Sequence, residues 1–218
     1  MLSVSNLALQ LGTFALEKID LDVATGECVA LMGRTGSGKT SLLEAICGLR
    51  KIDTGSIEVA GIDVTTAAPG ARGIGLVPQD TVLFSSMTVR DHFELGPKLQ
   101  KWSRDAIRQR SDELGEQLGV SHLLDRKPAG LSGGEGKRVS IGRAIATKPK
   151  LLCLDEAFVG LDDETHEEIL DLIRELQEPG DVSILLITHR MGEASALASR
   201  MVRLRDGALT DEALPPLP

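Results

Sequence analysis

Three kinds of feature are scarce in this sequence, and each shortage excludes a class of protein. The three cysteines, Cys28, Cys47 and Cys153, are odd in number, lie in apolar stretches and lack metal-ligand spacing, which argues against a disulfide scaffold. No apolar run approaches the ~20 residues of a membrane-spanning helix. Basic residues are fewer than acidic ones, since the chain has 24 Lys and Arg but 32 Asp and Glu, which gives a net charge of -8. A nucleic-acid partner is therefore not expected, since neutralising its phosphates requires the opposite charge.

Aromatic residues are also scarce, with one Trp, four Phe and no Tyr, although 42% of the chain is apolar. A chain of 218 residues with this apolar content is long enough for one large domain with its own core. The N-terminal segment has no basic region and no small-residue cleavage site, so a signal peptide is not expected. We therefore expect any membrane role to depend on a partner.

The hydrophobic pattern predicts an α/β core with a helical insertion. Alternating apolar residues between 2 and 23 predict an antiparallel β layer. Runs that are apolar on both faces predict buried strands, mostly parallel, at 28–32, 74–77, 151–154, 184–187 and 201–204. Between 80 and 149 the strand pattern gives way to charged helical segments. The apolar spacing over 163–177 predicts a helix that covers one face of the sheet.

A glycine-rich loop between a predicted strand and a predicted helix is the strongest functional motif. The segment GRTGSGKT, from Gly33 to Thr40, matches the pattern G-x-x-x-x-G-K-[ST] in its required context. Glycines let successive backbone N–H groups converge on phosphate oxygens, and the helix N-terminus adds partial positive charge. We expect Lys39 to reach the β- and γ-phosphates and Thr40 to bind Mg²⁺ through its hydroxyl. The loop predicts a nucleotide-phosphate site.

Two carboxylates end the predicted strand LLCLDE, residues 151–156. They fall at the sheet edge where doubly wound folds bind ligands. Asp155 is a candidate to hold Mg²⁺ through water, and Glu156 to polarise an attacking water. Taken alone, the pair would fit a helix N-cap equally well, and the preceding phosphate loop favours the functional interpretation.

The segment LSGGE, from Leu131 to Glu135, predicts a second helix that begins with glycines. Ser132 is a candidate N-cap, and the two glycines leave backbone N–H groups open to an anion. An ordinary capped helix is an equally good interpretation of this spacing. A single nucleotide would not need two such phosphate sites within one chain.

Together these motifs resemble those of the ATP-binding cassette ATPases, the nucleotide-binding subunits of ABC transporters. The resemblance covers the chain from about Leu2 to Leu209 and follows the family's motif order. GRTGSGKT is similar to the Walker A loop, LSGGE to the signature motif, and LLCLDE to Walker B with its catalytic glutamate. Gln79 in GLVPQD is similar to the Q-loop glutamine. The resemblance also implies that Gly160, Leu161 and Asp162 form the D-loop and that His189 is the switch histidine at the γ-phosphate.

The resemblance assigns roles to single residues. It implies that Glu156, His189, Lys39 and Gln79 are catalytic, and that Mg²⁺ is held by Thr40, Gln79 and Asp155. The residues implied to bind ATP in the loop are Gly33, Arg34, Thr35, Gly36, Ser37, Gly38, Lys39, Thr40 and Ser41. The family pairs its cassettes head to tail in an ATP-dependent dimer. Residues implied to serve the nucleotide of the second protomer are Leu131, Ser132, Gly133, Gly134 and Glu135, while Asp162 is implied to belong to the D-loop.

The family's architecture implies a fold for the whole chain. It is a P-loop NTPase core of the RecA-like type, with an N-terminal antiparallel β layer and an inserted α-helical subdomain. We expect one domain over 1–218, with core and β layer at 1–79 and 148–212. The helical subdomain with the signature is expected at 80–147 and a loose tail at 213–218.

Several positions depart from the family's common pattern. Glu135 stands where glutamine is commoner, Ala157 where many relatives have proline, and Arg190 where aspartate is frequent. The family stacks an aromatic residue on the adenine, but Leu11 lies near that position and Phe14 is the only aromatic residue before Walker A. Either Phe14 stacks on the base, or the base has only aliphatic cover from Leu11 while Phe14 packs in the core.

The resemblance implies an ATPase that powers transport through a separate permease at the cytoplasmic face of the cell membrane. LDEAFVGLD and the segment after THR are similar to bacterial importer cassettes for inorganic oxyanions, which implies a periplasmic solute-binding protein acting through the permease. Alternatives are a cassette of an exporter, lipoprotein-release or cell-division complex, a P-loop small-molecule kinase, and a soluble non-transport ABC protein. Because the chain ends soon after Leu209, we expect no C-terminal regulatory domain.

Overall fold

A computed structural model describes residues 1–12 and 14–214. Strands β1 (Leu2–Leu11), β2 (Phe14–Val23), β4 (Thr54–Val59) and β5 (Ile62–Asp63) form an antiparallel sheet in the order β2-β1-β4-β5. The predicted antiparallel layer is confirmed, and β4 and β5 extend it. Leu7, Leu16 and Ile19 are fully buried on its inner face.

A second, mostly parallel sheet has six strands, which are β3 (Cys28–Met32), β6 (Ile74–Val77), β7 (Leu151–Asp155), β8 (Ser183–Ile187), β9 (Arg200–Arg205) and β10 (Ala208–Glu212). Their order in the sheet is β10-β9-β3-β8-β7-β6. All five strands predicted from apolar runs are present. Pairings among β9, β3, β8, β7 and β6 are parallel, and only β10 runs antiparallel to its neighbour. The carboxyl ends of five strands therefore meet at one edge.

The described part of the chain contains six α-helices. They are α1 (Lys39–Ile46), α2 (Val89–Leu99), α3 (Arg104–Gln117), α4 (Gly133–Ile145), α5 (Asp163–Gln177) and α6 (Met191–Leu197). Short 3₁₀ turns lie at Pro69–Ala71, Ser121–Leu123 and Pro128–Gly130. Helix α5 has the predicted bounds, and Ile169, Leu172 and Ile173 are buried as its apolar spacing requires. None of the helices in the described part of the chain is both long and apolar enough to span a membrane.

Helices α2, α3 and α4 form the insertion between β6 and β7. Phe93 on α2 is fully buried beside Gly142 on α4, where an added Cβ would lie 2.4 Å from a ring carbon. The boundaries 80 and 147 of this subdomain stay a prediction. Of the expected tail 213–218, Leu214 packs against a small cluster that includes Met32 and Met201, while 215–218 lie outside the described residues.

Candidate functional site

The candidate residues follow neighbouring strands at one edge of the parallel sheet. The glycine-rich loop follows β3, Gln79 follows β6, Asp155 and Glu156 come at the end of β7, and His189 follows β8. Ligands in open α/β sheets bind outside the carboxyl ends of the strands. The parallel pairing of these strands thus gathers residues that are more than a hundred positions apart in the chain.

The glycine-rich loop wraps around the side chain of Lys39. The buried Lys39 Nζ lies 3.0 Å from the carbonyl oxygen of Gly33 and 3.2 Å from that of Arg34. Gly33 has little room for a side chain, because a Cβ there would lie 2.5 Å from the Leu204 carbonyl oxygen. Gly38 caps α1 with φ 98°, a conformation that favours glycine, and it has no side chain to occupy the first N–H groups. The N-terminus of α1 is therefore open to an anion.

Asp155 offers a buried carboxylate at the end of β7. Its side chain is only 6% exposed, and Oδ1 has no hydrogen-bond partner within residues 1–12 and 14–214. Burial raises the pKa of Asp155, although a hydrogen bond with Thr40 acts in the opposite direction. A buried oxygen without a partner next to a threonine hydroxyl fits a hard cation such as Mg²⁺. No group of three His, Cys, Asp or Glu side chains among the described residues could hold a metal by itself, so phosphate oxygens would have to complete the shell.

Glu156 has a strained backbone at the end of the same strand. Its φ of 45° is left-handed, a conformation that costs energy for a residue with a Cβ and that often marks functional sites. The Glu156 N–H donates to the Ile187 carbonyl oxygen at 3.0 Å, which ties the turn to β8. His189 Nδ1 lies 3.7 Å from Glu156 Oε2, and the His189 side chain is 57% exposed. The half-buried Glu156 and the exposed His189 are therefore close enough to act on one reacting group.

Gln79 is exposed, and its backbone is held by the signature helix. Lys137 on α4 is buried and donates from Nζ to the Gln79 carbonyl oxygen at 3.1 Å. Burial lowers the pKa of Lys137, while the neighbouring Asp80 opposes this shift. Further along, Arg143 donates to the Val82 carbonyl oxygen at 2.7 Å. Two cationic side chains of α4 therefore fix the segment that carries Gln79, a contact that the sequence alone did not indicate.

The signature segment forms a capped helix start. The Ser132 hydroxyl accepts from the Glu135 N–H at 3.2 Å, and the Glu135 carboxylate accepts from the Ser132 N–H at 2.7 Å. This reciprocal capping box lowers the pKa of Glu135, mainly through the backbone hydrogen bond. Leu131 is half-buried, whereas Ser132 and Gly133 are exposed. The capped-helix interpretation is thus correct locally, and it leaves an open N-terminus that could also face an anion.

The D-loop aspartate caps the neighbouring helix. Asp162 Oδ1 accepts from the Thr165 N–H at 2.9 Å, and its pKa is lowered mainly by this backbone hydrogen bond. Gly134 packs on the same threonine, since a Cβ at Gly134 would lie 2.6 Å from Thr165 Cγ2. The start of α5 and the start of α4 are therefore in contact within one chain.

A cavity of about 440 Å³ adjoins the glycine-rich loop. It is lined by the loop residues 33–37, by Phe14, by Arg203 and Arg205 of β9, and by Asp206 in the turn after β9. The Phe14 ring also lies against the loop, because a Cβ added to Gly38 would be only 2.9 Å from Phe14 Cε1. Leu11 and Phe14 both pack against the same core cluster, but Leu11 is not among the described residues that line this cavity. Phe14 is thus the aromatic residue beside the phosphate loop.

A loop of this form, backed by an acidic strand end, defines a P-loop nucleotide-binding protein. The sequence model of the ABC transporter family matches residues 16–159. The chain belongs to this family, as its motifs predicted.

Known relatives agree with this assignment. The chain is 38% identical to the sulfate/thiosulfate import ATP-binding protein CysA of Nocardia farcinica, over 99% of the chain and 65% of that protein. It is 38% identical to the molybdate/tungstate import ATP-binding protein WtpC of Pyrococcus horikoshii, over 96% of the chain and 61% of that protein. The Archaeoglobus fulgidus WtpC is 40% identical over 93% of the chain and 83% of its own length. The chain thus spans just under two thirds of the first two of these relatives.

The fold also matches a solved structure. The ATP-binding cassette MJ0796, in a dimeric post-hydrolysis state bound to ADP and Pi, superposes with a TM-score of 0.86. The match covers 100% of both chains at 28% sequence identity. The predicted fold class, a P-loop core with an antiparallel layer and inserted helices, is confirmed.

Proposed function

We propose that this protein binds and hydrolyses ATP, with Mg²⁺, as the motor subunit of a membrane transporter. One observation carries the proposal: the phosphate loop, the buried Asp155 and the Glu156–His189 pair lie at one sheet edge in a member of the ABC transporter family. A phosphate site without the two acids would support binding only. The acids beside it supply the groups that hydrolysis needs.

The chain's own groups divide the work of hydrolysis. Loop N–H groups and Lys39 bind the β- and γ-phosphates of ATP and neutralise their charge. Thr40, Asp155 and Gln79 would hold Mg²⁺, and the bound ion would supply charge stabilisation at the phosphate oxygens. Glu156 orients a water molecule and accepts its proton as the water attacks the γ-phosphate. His189 binds the γ-phosphate from the end of the neighbouring strand β8 and keeps it in line with that water.

The signature and D-loop residues act on a second protomer's nucleotide in this proposal. Residues Leu131 to Glu135 give an open helix start, and Asp162 lies at the start of the adjacent α5. A head-to-tail homodimer formed with ATP would place this open end against the γ-phosphate held by the partner's loop. The dimeric state of the MJ0796 cassette supports this arrangement.

The transporter role requires a membrane partner, which we propose is a separate permease. Val82 and Phe84 are exposed on the segment that follows Gln79, and exposed large apolar residues mark interaction surfaces. This segment is fixed to α4, so a partner bound there would move with the signature helix. The protein would then work at the cytoplasmic face of the membrane as a peripheral subunit.

We propose import of an inorganic oxyanion as the transport reaction. The relatives named above are import ATP-binding proteins for sulfate/thiosulfate and for molybdate/tungstate. A periplasmic solute-binding protein would deliver the anion to the permease. Uptake of labelled sulfate and molybdate by vesicles that hold the reconstituted transporter, with and without ATP, tests the direction and the solute class.

The hydrolysis proposal is tested by two substitutions with different expected defects. Glu156→Gln should keep ATP affinity, lower turnover at least about a hundredfold through loss of the base, and accumulate an ATP-bound dimer. Lys39→Ala should lose binding itself, because it removes the charge that the phosphates contact. Phosphate release, nucleotide affinity and size-exclusion chromatography in Mg-ATP give the three readouts. Near-normal turnover by Glu156→Gln would show that Glu156 is not the base.

A further inference from the structure

Three buried polar side chains lie directly behind the exposed His189. Thr188 is 1% exposed, Glu193 on α6 is 4% exposed, and His166 on α5 is 8% exposed. They come from three different elements, and the sequence motifs assign no role to any of them. A buried carboxylate is costly unless hydrogen bonds compensate it, so its partners indicate what it does.

The Thr188 hydroxyl closes the turn that carries His189. Its Oγ1 donates to Glu193 Oε2, and the same oxygen accepts from the Arg190 N–H at 3.0 Å. The residues on both sides of His189 are therefore fixed to one hydroxyl group. Among the described residues, the only polar contact of the His189 side chain is the 3.7 Å distance between its Nδ1 and Glu156 Oε2.

The other carboxylate oxygen of Glu193 connects this turn to α5. His166 Nε2 lies 3.0 Å from Glu193 Oε1, and Arg190 Nη1 lies 3.5 Å from the same oxygen. The ring of His166 packs on Phe158, with centroids 5.3 Å apart, and Phe158 comes two residues after Glu156. His166 is also on the first turn of the helix that Asp162 caps. The Thr188–Glu193–His166 triad thus touches the segments that carry Glu156, Asp162 and His189.

We propose that the Thr188–Glu193–His166 triad is a positioning device that holds His189 in register with Glu156 during ATP hydrolysis. The inference rests on the proposed function, in which His189 binds the γ-phosphate. A fully satisfied polar network specifies one geometry, whereas apolar packing would tolerate several. Thr188 and Glu193 act through His189 and contact no substrate themselves.

The first test separates turnover from binding. Thr188→Val keeps the shape but removes the hydroxyl, and Thr188→Ser restores it. We expect Thr188→Val to lower the turnover number by about ten- to a hundredfold, the scale of a small misplacement of a reacting group, with ATP affinity within about twofold of the parent. Thr188→Ser should recover most of the turnover. Thr147→Val, a half-buried threonine in the helical insertion, serves as the matched control and should behave as the parent.

The second test is a double-mutant cycle with His189→Ala. If Thr188 acts through His189, then Thr188→Val should cause no further loss of turnover in the His189→Ala background. Additive losses would overturn the proposal, because they would indicate a general structural role. If the parent protein does not hydrolyse ATP, or His189→Ala hydrolyses it normally, the failure lies in the proposed function, and the positioning role for hydrolysis falls with it.

A third measurement judges the geometry without any hydrolysis. The Arg190 amide donates to the Thr188 hydroxyl, so its hydrogen exchange should be faster in Thr188→Val and normal in Thr188→Ser. Glu193→Gln, which keeps the side-chain shape, should give an intermediate result and replaces Thr188→Val if that variant does not fold. Unchanged exchange at Arg190 in both Thr188→Val and Glu193→Gln would exclude the network as the support of this turn.

Discussion

At the scale of single residues, two adjacent acids have different environments. Asp155 is buried at the end of β7 and its pKa is raised by that burial, so its charged form gains most from a nearby cation. Glu156 is half-buried, turned by a left-handed backbone and placed 3.7 Å from His189. The first residue therefore suits metal binding, and the second suits contact with a water molecule.

The adenine contact is the residue-scale prediction. Phe14→Ala should weaken ATP binding by about 1–3 kcal/mol, the range measured for base–aromatic stacking in nucleic-acid binders. Leu11→Ala should bind ATP almost as the parent does, because Leu11 is not among the described residues that line the cavity. Phe14→Leu is the matched control, since it keeps apolar packing against Gly38 but removes the ring. ATP and GTP affinities are measured in protein shown by circular dichroism to be folded.

Two outcomes would contradict this assignment. If Phe14→Leu binds ATP as the parent does, the ring does not stack on the base. If Leu11→Ala loses more affinity than Phe14→Ala, then aliphatic cover holds the adenine. In the second case ATP and GTP should bind with nearly equal affinity, because a base held only by apolar contact is poorly distinguished.

The sequence could rank the phosphate-binding residues but not the adenine contact, for a physical reason. Lys39, Asp155 and Glu156 follow from strand ends, whose position the apolar runs define. Leu11 and Phe14 are paired directly opposite each other in β1 and β2. The alternating apolar pattern of the sequence therefore places both residues at the same end of the β layer. The choice between them depends on which of the two side chains lies against the glycine-rich loop, and the structure shows that it is Phe14. Likewise, the Glu193 and His166 side chains are 27 positions apart, and only the fold brings them together.

At the scale of elements, helix α4 combines several roles. Its first turn carries the capping box of Ser132 and Glu135, and its middle fixes the Gln79 backbone through Lys137. Its last half packs closely against α2, where Gly142 leaves no space for a side chain beside Phe93. A shift of this helix would therefore move the signature segment and the Gln79 segment together.

The close packing of α4 predicts opposite effects of alanine at two of its glycines. In Gly142→Ala the new Cβ would lie 2.4 Å from Phe93 and 2.5 Å from Leu118, which should destabilise the fold by about 1–3 kcal/mol through overpacking. Gly133→Ala has no atom within 4 Å of the new Cβ, and helix propensity makes it neutral or slightly stabilising. Urea unfolding of both variants provides the comparison. Equal stability of the two would contradict the packing seen between α2 and α4.

The elements that could be predicted are those with strong periodicity. Strands β7 and β8 are buried at every position, and α5 has an apolar stripe, so their patterns are unambiguous. Strands β4, β5 and β10 were missed because most of their side chains are exposed or half-buried, and β5 and β10 also lie at sheet edges. Edge strands form through backbone hydrogen bonds with one neighbouring strand, and this pairing leaves little hydrophobic pattern in their sequence.

At the scale of the whole molecule, one chain holds two helix starts that are open to anions although its net charge is -8. The start of α1 lies at the sheet edge beside the Mg²⁺ candidates, whereas the start of α4 is fixed on α5 through Gly134 and Thr165. An acidic protein can bind ATP only where local N–H groups and Lys39 outweigh that charge. The second open helix start, that of α4, can contribute to ATP binding if it faces the nucleotide of another protomer.

This trans arrangement predicts that charge at the start of α4 controls dimer formation. Gly134 is unsuited to the test, because any side chain there would collide with Thr165 of the same chain. Gly133 is exposed and has open space around it, so Gly133→Asp should fold normally, and its carboxylate at a helix N-terminus is favourable for the monomer. In the dimer the same carboxylate would face the partner's γ-phosphate, where like charges repel. We expect ATP affinity of the monomer to be unchanged and the ATP-dependent dimer to be lost.

Gly133→Asn has the same shape without the charge and should still dimerise to a measurable extent. Both variants are compared in the Glu156→Gln background by light scattering after size exclusion in Mg-ATP, and equal dimer content in the two would overturn the shared site.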